Sequence, residues 1–158
     1  MWAISEANRE GIVFLCSTAD QGNNSSKVFP ASYKETIGIA ACNSYGKLAP
    51  FSSDLDADYF FQGVDVVTEI IPYVKSPQEI SGSPVATAIA AGVASLILAC
   101  NKLVYPDLNY KLHRKEVVTD HLDRMKVMDH GQNNKYVRPW EVFNVASNMG
   151  DVAGRRWL

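Results

Sequence analysis

The stretch Glu79–Cys100, "EISGSPVATAIAAGVASLILAC", decides how the rest of the chain is read. Ser81, Gly82, Ser83 and Pro84 stand at the mouth of a long run of small and apolar residues. Proline in a first helical turn forfeits only an N–H that has no partner there, so the sequence predicts a helix from Pro84 to about Cys100. The run from Ile80 to Cys100 carries no charge and is long enough to span a bilayer. Its three serines, one threonine, two glycines and proline, and its abundance of alanine, favour a helix buried against a sheet over a membrane span.

Working outward, the preceding segments read as short buried strands parted by loops. "GIVFLCSTAD" is a strand ending near Ser17, after a helix over 2–10 with Gly11 as its stop. "QGNNSSK" is a polar loop, and "TIGIAACN" (Thr36 to Asn43) is a second buried strand. "YGKLAPFSSDLDAD" is loop-like, and "YFFQG" and "DVVTEII" are further short strands. Strands alternating with helices indicate an α/β class with parallel pairing. In the last third, Val118, Leu122 and Met125 recur at helical spacing on one side of "YKLHRKEVVTDHLDRMKVMDHG", with Gly131 as a stop. "RPWEVFNVASNMG" reads as a last short helix with Pro139 in its first turn. The expected organisation is an α/β unit over 1–100 and a helical extension over 101–158 packed on it.

Composition narrows the function classes. The 158 residues suit one domain, with a net charge of −2. Residues 1–100 hold five basic against ten acidic side chains, and 101–158 hold ten against seven. That tilt makes no basic stripe for nucleic acid. Cys16, Cys42 and Cys100 are odd in number and lack C-x-x-C spacing, so neither a zinc site nor a disulfide framework is indicated. Unpaired thiols lean toward a reducing, cytoplasmic compartment, although composition does not fix the location. The opening "MWAISEANREGIVFLC" lacks the basic-then-apolar pattern of a secretory leader. The aspartates of "SSDLDAD" admit two readings, a solvated acidic turn or a calcium loop, of which the turn is favoured.

Four stretches together carry a resemblance: "GIVFLCSTADQGNN", "VFPASYKETIGIAACNSYGKLAPFSS", "GVDVVTEI" and "SGSPVATAIAAGVASLIL", in that order over roughly residues 3–100. The chain resembles the C-terminal half of a subtilisin-like serine endopeptidase domain. The Val-Ala-Thr-Ala run after Pro84 is similar to that of fungal members. The resemblance implies a partial subtilisin-like α/β fold, mostly parallel sheet flanked by helices, proteolysis as the family activity, and no cofactor. It also implies that the family's catalytic aspartate and histidine come earlier than this stretch, since the order in such enzymes is Asp, His, Ser. His113, His121 and His130 all follow the serine segment and do not match the family histidine.

Matched residue by residue, Gly82 takes the place of the motif glycine and Ser83 of its threonine, and Pro84 stands where the family has the nucleophilic serine. Proline has neither a hydroxyl to attack a carbonyl nor an N–H to hold an oxyanion. Ser83 is left with two readings. One is a substitute nucleophile; the favoured one is an N-cap whose hydroxyl accepts from the N–H of Val85 or Ala86. Asp20 falls at the position of the family's oxyanion-hole asparagine, where an ionised carboxylate accepts hydrogen bonds and donates none; as a turn former ahead of "QGNN" it has an equally good structural role. Ser17, Thr18 and Ala19, with Gly82, match the family's substrate-binding positions, or else form a buried strand end. Three functional classes follow: a non-catalytic subtilisin-like domain, part of a working peptidase, or a binding module whose partner is an extended peptide or a covering N-terminal segment. No nucleic-acid or membrane partner is expected.

Overall fold

A computed structural model describes residues 2–22, 26–67, 79–106, 114–127 and 134–143. Helix α1 (Trp2–Arg9) runs into strand β1 (Leu15–Ser17), and β2 (Ile37–Cys42) and β3 (Tyr59–Gln62) complete a parallel sheet of order β1-β2-β3. Leu15 pairs with Ile37, and Ile39 with Tyr59. Gly11, at φ 81°, ends the turn after α1 in the left-handed conformation a helix stop requires.

All six residues of β2 are buried, which accounts for its unbroken Ile-Gly-Ile-Ala-Ala-Cys run in place of an alternating pattern. Gly38 is needed within it. A Cβ there would lie 1.9 Å from the Asp56 carbonyl oxygen. That close approach lets the loop before β3 fold back. Asp58 accepts the Gly38 N–H at 2.8 Å, and Asp56 accepts the Val28 N–H at 2.9 Å. Asp54 pairs with Lys135. The acidic turn thus spends its carboxylates on three separate partners, and no group of three or more metal-ligating side chains occurs among the described residues.

Strand β4 (Val66–Val67) and β5 (Glu79–Ile80) form a two-stranded antiparallel ribbon, which the sequence did not suggest at Glu79. The rest of the strand expected over "DVVTEII" lies outside the described residues. Helix α2 spans Ser83–Val104, four residues beyond the expected end at Cys100, and packs on the sheet through Ala86, Ala90, Ala94 and Ile97. α3 (Arg114–Arg124) contributes Val118 and Leu122, and Met125 follows its last turn into the same core. His121 is half-buried on α3, with its Nδ1 2.8 Å from the Val117 carbonyl; His113 and His130 lie outside the described residues. α4 (Pro139–Phe143) begins at Pro139, as its sequence predicts. Just before α4, Lys135–Val137 lines the outer edge of β3. Phe60 donates its N–H to Lys135 at 2.7 Å, and Val137 donates to Phe60 at 3.1 Å.

Candidate functional site at the mouth of helix α2

The first turn of α2 sits at the carboxyl ends of β1 and β2 and gathers the residues the sequence singled out. Gly82 is buried, with φ 152° and ψ 156°, a conformation open to glycine and strained for other residues. A Cβ on it would lie 3.2 Å from a carboxylate oxygen of Asp20 and 3.3 Å from the Pro84 ring. Its N–H donates to Gly63 at 2.8 Å, and its carbonyl accepts from Val85 and Ala86 at 3.1 and 3.2 Å.

Ser83 does not cap the helix by its side chain, contrary to the sequence expectation. Gly82 holds the cap position, and no side chain caps there. The Ser83 hydroxyl turns inward instead. Its Oγ lies 2.7 Å from Ser52 Oγ, and both oxygens accept from the Ala41 N–H, at 3.3 and 3.1 Å. Ser83 and Ser52 are 0% and 1% exposed. The reason is local. Ala41 sits near the carboxyl end of β2, its N–H needs an acceptor, and a buried donor left unpaired costs on the order of 1–3 kcal/mol. Nothing in the "FSS" segment signals this role for Ser52; only the fold brings it to Ser83.

The Ser83 N–H points the other way, to the Asp20 carboxylate, at 3.1 Å to Oδ1 and 3.0 Å to Oδ2. An anion at the positive end of a helix is stabilised there, by about 0.3–1 kcal/mol at an exposed position. The N–H at the mouth of α2 therefore already holds a carboxylate of the chain itself. Pro84 is exposed beside it and adds no donor.

Ser17, Thr18 and Ala19 lead from β1 to Asp20. Thr18 donates its N–H to Ile39 at 3.0 Å, and the Ser17 hydroxyl donates to the Thr18 carbonyl at 3.0 Å. Thr18 is buried and its hydroxyl finds no partner among the described residues, whereas Ser17 and Ala19 are half-buried. Ser81 is exposed on the β5 side, where its hydroxyl accepts the Asp65 N–H at 2.8 Å. Of the cysteines, Cys16 and Cys42 are buried and Cys100 is exposed. Burial pushes the Cys42 thiol up to about 12 and raises that of Cys16, so both stay protonated and inert at neutral pH.

Comparison with known proteins agrees with this architecture. Residues 1–134 match the model of the Subtilase family, Peptidase_S8, a match that runs beyond the stretch carrying the resemblance. The chain is 34% identical over 104 residues to Subtilisin-like protease het-Q2 of Podospora anserina, covering 61% of this chain and 28% of that protein. It is 30% identical over 105 residues to Subtilisin-like protease 2 of Pseudogymnoascus destructans, covering 66% of this chain and 26% of that protein. The chain thus spans roughly a quarter of the length of these relatives. Among solved structures, that of the prenylagaramide maturation protease PagA superposes with a TM-score of 0.68 at 18% identity, over 90% of this chain and 54% of that one. With the family match extending over most of its length and a parallel α/β core of the same kind, the chain belongs to the subtilase family of subtilisin-like serine peptidases.

Proposed function

We propose that this subtilase domain does not cleave peptides through its own serine segment. The observation that carries the proposal is the pairing of Pro84 with the inward-turned Ser83. At the family nucleophile position the residue has no hydroxyl, and the neighbouring hydroxyl is buried between Ser52 and Ala41. Asp20 supports the same reading, because an ionised carboxylate on the Ser83 N–H repels a forming oxyanion where a working site attracts one. The proposal stands whether or not an aspartate and a histidine are supplied by another segment, since both act only on a nucleophile that is present. It is tested with a fluorophosphonate probe and intact-mass detection on the folded chain. No adduct is expected, and a stoichiometric adduct on Ser83 overturns the reading.

A second reading, binding of an extended peptide or of a covering strand, is favoured by the β1 edge. Thr18 N–H and Phe14 carbonyl point to β2, so in a parallel ladder the backbone groups of Leu15 and Ser17 point away from it. Among the described residues no backbone hydrogen bond is made to that side, whereas the opposite edge of the sheet is lined by Lys135–Val137. A bare parallel edge accepts an added strand. Amide hydrogen exchange with an excess of an extended, uncharged peptide is expected to slow at Leu15 and Ser17. Unchanged exchange at both amides rules the reading out.

A further inference from the structure

Helix α2 has two apolar faces and the sheet uses one. Ala86, Ala90, Ala94 and Ile97 face the core. On the far side Ile89, Gly92, Leu96, Ala99 and Leu103 are all exposed, the three large ones by 37%, 45% and 83%. Their spacing is three, four, three, four, the alternation of a helix–helix seam. At Gly92, in the middle of the seam, a Cβ would meet nothing within 4 Å among the described residues. By length and composition the helix could also cross a membrane, but an exposed face with this spacing describes a partner helix more specifically.

We infer that the partner is a second copy of this chain, its α2 lying antiparallel on the first. The seam alternates by size. One set of positions holds Ile89, Leu96 and Leu103, and the other holds Val85, Gly92 and Ala99. Two antiparallel copies related by a two-fold axis at the level of Ala94 bring Ile89 over Ala99, Leu96 over Gly92 and Leu103 over Val85. The inner layers, Ile89 on Ala99 and Leu96 on Gly92, then seat a large side chain on a small one, so the backbones approach closely there, and Leu103 on Val85 closes each end with an apolar contact. A parallel pair in register would stack large on large and small on small. Charge agrees as well. Lys102 is the one charged side chain on α2, and in this arrangement it comes level with the first turn of the other helix, where the other copy holds its Asp20 carboxylate. The antiparallel helix dipoles also oppose each other favourably.

The inference is independent of peptidase activity, and the full chain tests it. Sedimentation velocity across a micromolar concentration series is expected to show a monomer–dimer equilibrium. Leu96→Glu, at an exposed position, should weaken it by about tenfold or more, since pairing would bury a charge without a partner. In a Cys100→Ser background, copies carrying Ile89→Cys are expected to cross-link to copies carrying Ala99→Cys, and neither variant to cross-link to itself. The cross-linking pattern reports the antiparallel register even if the glutamate variant misfolds. A chain that stays monomeric throughout, a dimer untouched by Leu96→Glu, or an Ile89→Cys self-cross-link each overturns the inference.

Discussion

Ser83 shows how a serine at the mouth of a helix can serve packing. Its hydroxyl ties the start of α2 to the middle strand through Ala41 and Ser52, and its N–H carries the Asp20 carboxylate. Substituting Ser83→Ala removes one of two acceptors for the Ala41 N–H and leaves Ser52 as the other. The expected cost is about 1 kcal/mol, measured as a fall of a few degrees in Tm without loss of the fold. A nucleophile would behave otherwise, since its removal changes activity and leaves stability largely alone. An unchanged Tm would show that the hydroxyl pair carries no stabilisation. That Pro84 begins α2 without disturbing it follows from its place in the first turn, where an absent N–H costs nothing.

At the scale of elements, α2 lies close on the sheet because its inner face is nearly all alanine and because Gly63 leaves room beside it. A Cβ on Gly63 would fall 2.8 Å from the Gly82 carbonyl oxygen and 2.9 Å from the Cβ atoms of Ala41 and Ala86. Those neighbours are backbone or short side chains and have no rotamer with which to yield. Gly63→Ala is therefore expected to destabilise by about 1–3 kcal/mol, with denaturant midpoints as the readout. The contrasting control, measured at concentrations where the chain is monomeric, is Gly92→Ala on the outer face of the same helix, where the single chain leaves open space and alanine is the better helix former. If the two alanines had the same effect, close approach would not be what positions the helix. The elements were legible where the pattern was long. The apolar run of β2, the helical spacing of Val118 and Leu122 and the first-turn prolines of α2 and α4 all announce themselves. Strand β5 did not, because a two-residue strand carries no periodicity.

Over the whole molecule, the C-terminal third shares one core with the rest. Val118, Leu122, Met125 and Val137 belong to the same buried cluster as Ile39, Phe61 and Ala90. Tyr136, 1% exposed, packs its ring over Gly46 and donates its hydroxyl to the Ser44 carbonyl at 3.1 Å. Gly46, at φ 83°, supplies the turn that admits the ring. The outer face of α2 is apolar and the β1 edge unpaired among the described residues, and both proposals about partners arise from them.

The family, the parallel α/β class and the first-turn proline of α2 could all be read from residue order alone. Each depends only on chemistry that a residue carries with it, such as a missing N–H, an apolar period or an ordered set of short segments. The role of Ser83 could not be read so. A hydroxyl before a proline suits a helix cap equally well on sequence grounds, and its direction was decided by Ala41 and Ser52, residues 42 and 31 positions away. The tertiary fold also decided that Asp20 would sit on the helix mouth, 63 positions from the N–H it accepts. Contacts between distant segments exist only once the sheet has set its register, so the local sequence holds no record of them.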